Sequence, residues 1–285
     1  MAWSGVHTAV VTPFADDRLD LEAWEGTLAR QARARVHGVV VAGTTGESPT
    51  LDVEERDTLL TDALAVMGSL HPECRVTMGV GTNDTRSTLR NVERAKQLGA
   101  HAGLLVLPYY NKPNFPGLRA HVRAACAPGL PIIVYHVPGR TGQRLNPTEL
   151  AVLCEIEGVV AVKEATGDLI YDQDFMQRSR CPVLSGDDFT WMPLLSVGGA
   201  GVISVLSNVA PRRTVAIWDA WQRGDVAAAR AEHAALYPVV RYLFTEPNPV
   251  PVKMMMGEMG LCRSELRLPL APGALPDEAL LPDLR

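Results

Sequence analysis

The chain has 285 residues, of which 47% are hydrophobic and 21% charged, and its formal net charge is −5 at pH 7. These values are ordinary for a globular protein and exclude a largely disordered chain. Lys and Arg are scattered, so neither nucleic acid nor an anionic membrane is expected as a partner. We also expect no membrane span, since no apolar run reaches the required length of about 18 residues, and no secretory signal.

Short apolar segments alternate with longer amphipathic segments along most of the chain. Continuous apolar runs are typical of parallel strands that are covered on both faces. The predicted strands are Val6–Val11, Gly38–Ala42, Arg75–Gly79, Gly103–Val106, Ile132–Tyr135, Val159–Val162, Val183–Ser185 and Gly201–Ile203. Amphipathic patterns between them predict helices that include Val53–Leu70, Thr85–Leu98 and Pro211–Gln222.

Eight such units predict an α/β fold, a closed (β/α)8 TIM barrel, for which about 250 residues are typical. A Rossmann sheet is less favoured because no GxGxxG follows the first strand. After Gly224 the pattern changes to helices and a proline-rich tail. We therefore predict a catalytic barrel over residues 1–224 and a C-terminal helical extension packed on it over residues 225–285.

The chain has five cysteines, an odd number, and no CxxC pair. Neither a disulfide framework nor a zinc site is expected from this spacing. Free thiols fit a reducing compartment, so the sequence favours a cytoplasmic protein.

Polar residues at the carboxyl ends of barrel strands are candidates for an active site. Lys163 follows the apolar run Val159–Val162 and precedes Glu164. At the mouth of an apolar barrel the ammonium form is disfavoured, and a neutral lysine can attack a ketone to form an imine. Lys163 taken alone favours the alternative, a strand-end lysine paired with Glu164 or Asp168, because structural ion pairs also perturb lysines.

Tyr135 ends the run Ile132–Tyr135 and is a candidate acid–base group. Arg140 follows it in a loop rich in Pro and Gly and offers a rigid fork for a carboxylate. Alternatively, Tyr135 is a core aromatic residue and Arg140 a solvated loop charge.

The loop Gly43-Thr44-Thr45-Gly46-Glu47 follows the second predicted strand. Its backbone N–H groups and hydroxyls can bind a small carboxylate, and Glu47 could orient the loop. An ordinary turn between strand and helix is the alternative.

Two adjacent tyrosines, Tyr109 and Tyr110, lie in the segment Pro108–Pro113 after the fourth predicted strand. One of them could line the site while the other packs against a neighbour. Alternatively, both are interface or core aromatics.

Seven motifs in register give the sequence a specific resemblance over Val6–Leu270. They are GTTGES, PYYNKP, YHVPGRTG, KEATGD, SGDD, GVISVLSN and NPVPVK, beginning at Gly43, Pro108, Tyr135, Lys163, Ser185, Gly201 and Asn248. With these motifs the chain resembles the dihydrodipicolinate synthase family, in the class I aldolase superfamily that includes N-acetylneuraminate lyase.

The resemblance implies a role for each matching residue. Lys163 resembles the Schiff-base lysine that captures pyruvate. Thr45, Tyr135 and Tyr110 resemble a proton-relay triad in which the tyrosine at 110 reaches in from a partner subunit. The substrate-binding residues implied are Thr44 and Thr45 for the pyruvate carboxylate, Arg140 for the carboxylate of L-aspartate-4-semialdehyde, and Gly186 and Ile203 as backbone contributors.

The implied activity is the 4-hydroxy-tetrahydrodipicolinate synthase reaction of diaminopimelate and lysine biosynthesis. It requires no metal or organic cofactor, because the lysine imine is itself the electron sink. The resemblance also implies a homo-oligomer, a tetramer built as a dimer of dimers. Two alternatives remain: another pyruvate-dependent aldolase or lyase of the superfamily, which generally lacks an arginine at Arg140, and a non-catalytic keto-acid-binding protein.

The sequence departs from the family pattern in two places. His136 stands where Asn is common, a mild change from which no altered chemistry is inferred. At the lysine-feedback site, which Ser48, Pro49, Asn83 and Tyr109 resemble, Arg56 and Ser87 stand where His and Glu are usual. An arginine repels a cationic amino acid, and the missing carboxylate removes a counter-charge, so we expect lysine to inhibit weakly or not at all.

Overall fold

The structure is a computed structural model that describes residues 3–281. Eight parallel strands close into a barrel in which sequence neighbours are also sheet neighbours. Helices alternate with the strands, so the predicted TIM barrel with a helical C-terminal part is confirmed. The barrel strands are Gly5–Ala9, Gly38–Val41, Arg75–Gly79, Ala102–Val106, Ile132–His136, Val159–Glu164, Val183–Ser185 and Gly201–Ser204.

Three predicted helices are confirmed at both ends: Val53–Leu70, Thr85–Leu98 and Pro211–Gln222. The other α-helices are Leu21–Arg33, Phe115–Cys126, Pro138–Thr141, Pro147–Cys154, Leu169–Met176, Trp191–Ser196, Val226–Leu243 and Val250–Glu258. Short 3₁₀ segments lie at Ser48–Thr50, Leu206–Asn208 and Glu278–Leu280. Within residues 3–281 no helix is long and apolar enough to cross a membrane.

Local capping explains why helix boundaries could be predicted. The Asp84 side chain accepts hydrogen bonds from the amides of Arg86 and Ser87, which start the helix Thr85–Leu98. Gly99, with φ 96°, ends that helix in the left-handed conformation that glycine adopts without strain. Sequence signals of this kind satisfy the unpaired backbone groups at helix ends.

The strands Arg75–Gly79 and Val183–Ser185 are confirmed at both ends, and the other six barrel strands differ from the predictions by one or two residues at an end. The first strand ends at Ala9, and two residues later the Val11 amide donates to Asn208 Oδ1 at 3.2 Å in place of a strand partner. The strand Val159–Glu164 runs two residues further than predicted, so that Lys163 lies within the strand. The Gly186 amide donates to the Glu164 carbonyl and continues the ladder there.

The chain divides into two compact units. One comprises Thr77–Ile203 with the N-terminal residues up to Gly5, and the other comprises Val6–Val76 with the chain from Ser204 onward. In the first unit fully buried side chains such as Phe175 and Trp191 form the core. The core of the second unit is formed by Trp24 and other buried apolar side chains. The domain boundary predicted at Gly224 stays a prediction.

A small antiparallel hairpin, not predicted from the sequence, joins Phe14–Ala15 to Arg18–Leu19. Its two turn residues, Asp16 and Asp17, have φ of 53° and 59°. Two consecutive residues with positive φ are the requirement of a type I′ turn, which asparagine, aspartate and glycine tolerate best.

Candidate active site

Lys163 is a buried lysine on the strand Val159–Glu164, in the unit Thr77–Ile203. Its exposed fraction is only 6%. Desolvation lowers the pKa of Lys163 to about 8; the Asp188 carboxylate opposes this change, and the Arg140 guanidinium adds to it. The amine is therefore neutral often enough near pH 7 to act as a nucleophile.

Tyr135 stands beside Lys163 on the neighbouring strand. The two residues are register partners in the parallel pairing of Ile132–His136 with Val159–Glu164. Lys163 Nζ lies 4.2 Å from the centroid of the Tyr135 ring. The structure thus brings together two of the residues for which the sequence predicts catalytic roles.

The carboxylates that follow Lys163 have other partners. Glu164 Oε1 and Oε2 accept from the Thr166 amide at 2.9 and 3.0 Å. Asp168 Oδ2 accepts from Arg144 Nη2 at 2.8 Å. Across residues 3–281 no ion pair joins Lys163 to either carboxylate. The alternative interpretation, a lysine held in a structural ion pair at the strand end, is not supported.

Gly186 makes room for the Lys163 side chain. A Cβ atom at position 186 would lie 2.9 Å from Lys163 Cε and 2.7 Å from Ala165 Cβ. Both distances are shorter than real Cβ contacts, so a larger residue would displace the lysine. Gly186 therefore has a steric function in addition to the backbone contribution that the sequence analysis predicted.

Two further predicted substrate-binding residues belong to the same unit. Ile203 is buried, with 1% exposure, on the last barrel strand, Gly201–Ser204. Arg140 is exposed in the short helix Pro138–Thr141, which directly follows the strand that carries Tyr135. The positive charge of the Arg140 guanidinium helps to lower the pKa of Lys163 by electrostatic repulsion of the ammonium form.

Tyr110 is a predicted site residue whose side chain is exposed to solvent in the single chain. Its exposed fraction is 88%, and its φ of 73° places it in the left-handed region. The adjacent Asn111 side chain donates to the Asn83 carbonyl at 2.8 Å, which holds the loop. The Tyr110 side chain therefore forms no part of the core of the single chain.

Thr44 and Thr45 lie in the second unit, in the loop after the strand Gly38–Val41. The loop is a tight turn, since the amides of Gly46 and Ser48 both donate to the Gly43 carbonyl. Thr45 is buried, at 2% exposure, and Thr44 is partly exposed. Glu47 closes the turn with φ 52°, a left-handed conformation that costs a residue with a Cβ about 1–2 kcal/mol.

Asn248 holds the Thr45 hydroxyl. Its Nδ2 donates to Thr45 Oγ1 at 2.9 Å across 203 positions of sequence. Because Thr45 Oγ1 accepts this bond, its own hydrogen must point to a different acceptor. The contact thereby orients the proton of a predicted relay residue.

A buried ion pair supports the same loop. Lys253, with 0% exposure, pairs with Glu47 Oε1 and donates to the Glu265 carbonyl at 2.8 Å. Burial lowers the pKa of Lys253, and the Glu47 carboxylate counteracts this. Glu47 Oε2 also accepts from the Arg267 amide at 3.0 Å. The prediction that Glu47 orients the loop is consistent with these contacts, although the sequence did not reveal its partners.

The supporting residues Asn248, Lys253 and Arg267 were missed as functional residues. The first two belong to the motif NPVPVK, which contributed only to the resemblance. Arg267 binds both Glu55 oxygens, at 2.6 and 2.7 Å, and its Cζ lies 4.2 Å from the centroid of the Phe14 ring. A charged residue followed by Leu and Pro in the tail gives no sequence signal of these contacts.

The chemistry available at these residues is that of an amine, a phenol and hydroxyls. In the part of the chain from 3 to 281, no group of three or more His, Cys, Asp or Glu side chains is arranged to hold a metal ion. An amine of lowered pKa can itself form an imine with a carbonyl compound, and the protonated imine accepts electrons from an adjacent carbanion.

A family model described as the dihydrodipicolinate synthetase family matches residues 2–279. The chain belongs to this family. The 4-hydroxy-tetrahydrodipicolinate synthase of Nitratidesulfovibrio vulgaris (strain DP4) is 43% identical over 289 residues, which cover 100% of this chain and 98% of the relative. The solved dihydrodipicolinate synthase of Thermotoga maritima is 39% identical, with a TM-score of 0.93 and coverage of 100% and 97%. A variant described as the first monomeric dihydrodipicolinate synthase is 39% identical, with a TM-score of 0.92 and coverage of 99% and 94%.

Ser87 and Arg56, at the positions predicted to resemble the lysine-feedback site, have other environments in the structure. The Ser87 hydroxyl donates to Asp84 Oδ2 at 2.7 Å and accepts from Arg90 at 2.9 Å, so it is engaged in capping its own helix. Arg56 is partly buried, and desolvation lowers the pKa of its guanidinium. Weak or absent inhibition by lysine stays a prediction.

Proposed function

We propose that this chain is a 4-hydroxy-tetrahydrodipicolinate synthase that condenses pyruvate with L-aspartate-4-semialdehyde through a Schiff base on Lys163. The observation that carries the proposal is the buried Lys163 amine, with a pKa lowered to about 8 and Tyr135 as its register partner. Family membership over nearly the full chain supports the same activity. The proposed pathway is the synthesis of diaminopimelate and lysine.

The reaction begins with attack of the neutral Lys163 amine on the ketone carbon of pyruvate, with loss of water to give an imine. Loss of a methyl proton then gives an enamine, because the protonated imine accepts the electron pair. The enamine carbon attacks the aldehyde of the second substrate. Finally the substrate amino group adds to the imine carbon and displaces Lys163, which closes the ring and regenerates the free amine.

The remaining predicted site residues take the roles that the family resemblance implies. Tyr135, Thr45 and Tyr110 transfer protons between the imine, the substrates and solvent. The hydrogen bond from Asn248 supports this role for Thr45, because it leaves the hydroxyl hydrogen available to another acceptor.

Substrate binding uses a second set of residues. The hydroxyls and amides of Thr44 and Thr45 bind the pyruvate carboxylate. Arg140 binds the carboxylate of the semialdehyde through its planar fork. Gly186 and Ile203 contribute backbone contacts, and the absent side chain at Gly186 leaves space for the lysine.

Tyr110 supports an assembly of at least two subunits. An aromatic side chain that is 88% exposed in one chain would complete the relay of a neighbouring chain. We propose a homotetramer built from two such dimers, in the cytoplasm. One similar protein is described as monomeric, so sedimentation of the wild-type protein and of Tyr110→Ala is the direct measurement of this assembly.

The chemical proposal is tested by incubating the protein with pyruvate and borohydride and mapping the adduct by mass spectrometry. We expect a reduced pyruvate adduct on Lys163, its loss in Lys163→Ala, and its retention in the control Lys96→Ala, which removes a surface amine. An adduct that persists in Lys163→Ala would overturn the assignment. A coupled assay with aspartate-4-semialdehyde, run beside one with sialic acid, then distinguishes the proposed activity from that of a sugar-acid lyase.

A further inference from the structure

The residues that directly follow Tyr135 and Lys163 also face each other. In the same strand pairing His136 is the register partner of Glu164. Because successive side chains of a strand point to opposite faces, this second pair lies on the face opposite to the first. Both side chains are buried, with exposures of 0% and 3%, between the strands and the helix Leu169–Met176.

The contacts of His136 fix its protonation state. Its Nε2 accepts from the Leu145 amide at 3.2 Å, so this nitrogen carries no proton. Its Nδ1 therefore bears the hydrogen and donates to Glu164 Oε1 at 3.2 Å. Burial lowers the pKa of His136 to about 4, with the Arg144 charge acting in the same direction, which agrees with a neutral ring. The ring also stacks on Tyr171, with centroids 5.6 Å apart.

Glu164 receives donors on both oxygens. Besides the bond from His136, its carboxylate accepts from the Thr166 amide and, at 3.0 Å, from the Thr166 hydroxyl. It also hydrogen-bonds with the carboxyl group of Asp172, which is only 3% exposed. Two carboxyl groups can share a hydrogen bond only when one holds a proton.

Asp172 is the member of this pair that holds the proton. Burial raises the pKa of both carboxyl groups, that of Asp172 to about 8 with the Glu164 charge as the next cause, but only Glu164 accepts hydrogen bonds from His136 and Thr166, which favour its ionised form. Among residues 3–281 the buried Asp172 Oδ1 has no hydrogen-bond partner, an environment that disfavours an ionised carboxylate. Neutral His136, ionised Glu164 and protonated Asp172 thus form one buried cluster, called here the carboxyl–imidazole cluster.

We propose that the carboxyl–imidazole cluster is a positioning network that locks the register of Tyr135 against Lys163. The register of these strands has to be fixed by side chains because the pair contains a bulge, where the register shifts between Ile132 and Ile133. A slip of one residue would turn every following side chain to the other face. The bond between His136 and Glu164 joins the two strands one residue beyond the reacting pair, where it opposes this slip. The inference rests on the proposed function, since it assumes that Lys163 is the nucleophile.

The stability that the carboxyl–imidazole cluster contributes depends on pH, and the direction of this dependence follows from the pKa of Asp172. The charged or titratable groups around it are Glu164, His136, Asp168, Tyr171, Arg144 and Cys154. Because the folded-state pKa of Asp172, about 8, lies above its ordinary value of 3.8, its contribution to stability is complete below pH 4 and is lost as the pH rises through 8. Above pH 8 Glu164 and Asp172 are both ionised, and the carboxyl–imidazole cluster no longer holds the register of the two strands.

The test compares Asp172→Asn with Asp172→Ala. Asparagine keeps a donor toward Glu164 and cannot ionise, so it mimics the protonated acid. We expect Asp172→Asn to keep most of the wild-type kcat at pH 7 and to lose less of it between pH 8 and pH 9.5 than the wild type does. Asp172→Ala should lower kcat and the rate of borohydride trapping at Lys163 at least about tenfold, with a smaller change in KM for pyruvate. The matched control is Asp174→Asn, an exposed aspartate on the same helix.

Three outcomes are distinguishable. The positioning network is supported if pyruvate is trapped at Lys163 in the wild type and Asp172→Asn both keeps most of the kcat at pH 7 and loses less of it above pH 8. Trapping in the wild type with equal losses in both Asp172 variants, or with an unchanged pH profile, overturns it and leaves the proposed function intact. Absence of trapping in the folded wild-type protein refutes the proposed function itself.

Discussion

The substitution Gly186→Ala tests the claim that empty space at position 186 positions the Lys163 amine. The added Cβ would lie 2.9 Å from Lys163 Cε, whereas ordinary carbon contacts are about 3.5–4.0 Å. The lysine end must therefore move by roughly 0.6–1 Å, because its side chain is more flexible than the backbone. A misplacement of about 1 Å at a reacting group costs on the order of 100-fold in rate.

The second close contact predicts a change in stability as well. The new Cβ would lie 2.7 Å from Ala165 Cβ, and the Ala165 amide is tied to the His136 carbonyl at 3.0 Å. Overpacking against a fixed backbone costs about 1–3 kcal/mol. At about 2–4 °C per kcal/mol for a chain of this size, the melting temperature should fall by roughly 2–12 °C.

Two assays separate these effects. Single-turnover trapping with pyruvate and borohydride reports the reactivity of Lys163, and thermal unfolding reports the strain. The control is Gly68→Ala, since a Cβ at that exposed helical position meets nothing within 4 Å. It should keep full activity and unfold at the same or a higher temperature. A Gly186→Ala protein that traps pyruvate at the wild-type rate would refute the steric argument.

Three further predictions follow from the same structure. The trapping rate at Lys163 should rise with pH only up to about 8, because a pKa of about 8 in place of 10.5 makes the neutral fraction of the amine at pH 7 about 300-fold larger; a rate still rising tenfold per pH unit at pH 9.5 would contradict this. Asn248→Ala should lower kcat about 2- to 10-fold, the value of one hydrogen bond to Thr45, whereas an unchanged kcat would exclude a role in the relay. Lysine at about 1 mM should leave the steady-state rate unchanged because Arg56 and Ser87 supply no counter-charge, and inhibition below that concentration would disprove this.

Barrel strands and several helices could be predicted because their signals are local. The strand Gly38–Val41 is a continuous run of apolar residues that the structure buries completely. The helix Val53–Leu70 starts at Asp52, whose side chain and that of Glu55 form a capping box. Such signals depend on residues three or four positions apart, which a sequence displays directly.

The supporting contacts of the site could not be predicted because they are distant in sequence. Thr45 and Asn248 are 203 positions apart, and Glu47 contacts Lys253 only after the C-terminal helices have folded onto the same unit. The motif carrying Asn248 revealed that the residue resembles a family position. It did not reveal that the side chain orients a hydroxyl, since that depends on the direction of one amide group.

The register of Tyr135 and Lys163 is a further feature of the site that could not be predicted from the sequence. Ile132 pairs with Val159, but Ile133 pairs with Ala161, so Val160 is an extra residue on its strand. If the two strands paired without this bulge, Tyr135 would face Val162, and Lys163 would point to the side of the sheet that carries the helix Leu169–Met176. The amino-acid sequences of the two strands are the same whether they pair with the bulge or without it. What selects the functional register is tertiary: the contacts that His136 and Glu164, which follow the reacting side chains, make with each other and with residues outside the two strands. A site residue in a parallel barrel is therefore specified together with its successor, whose side chain faces the opposite way.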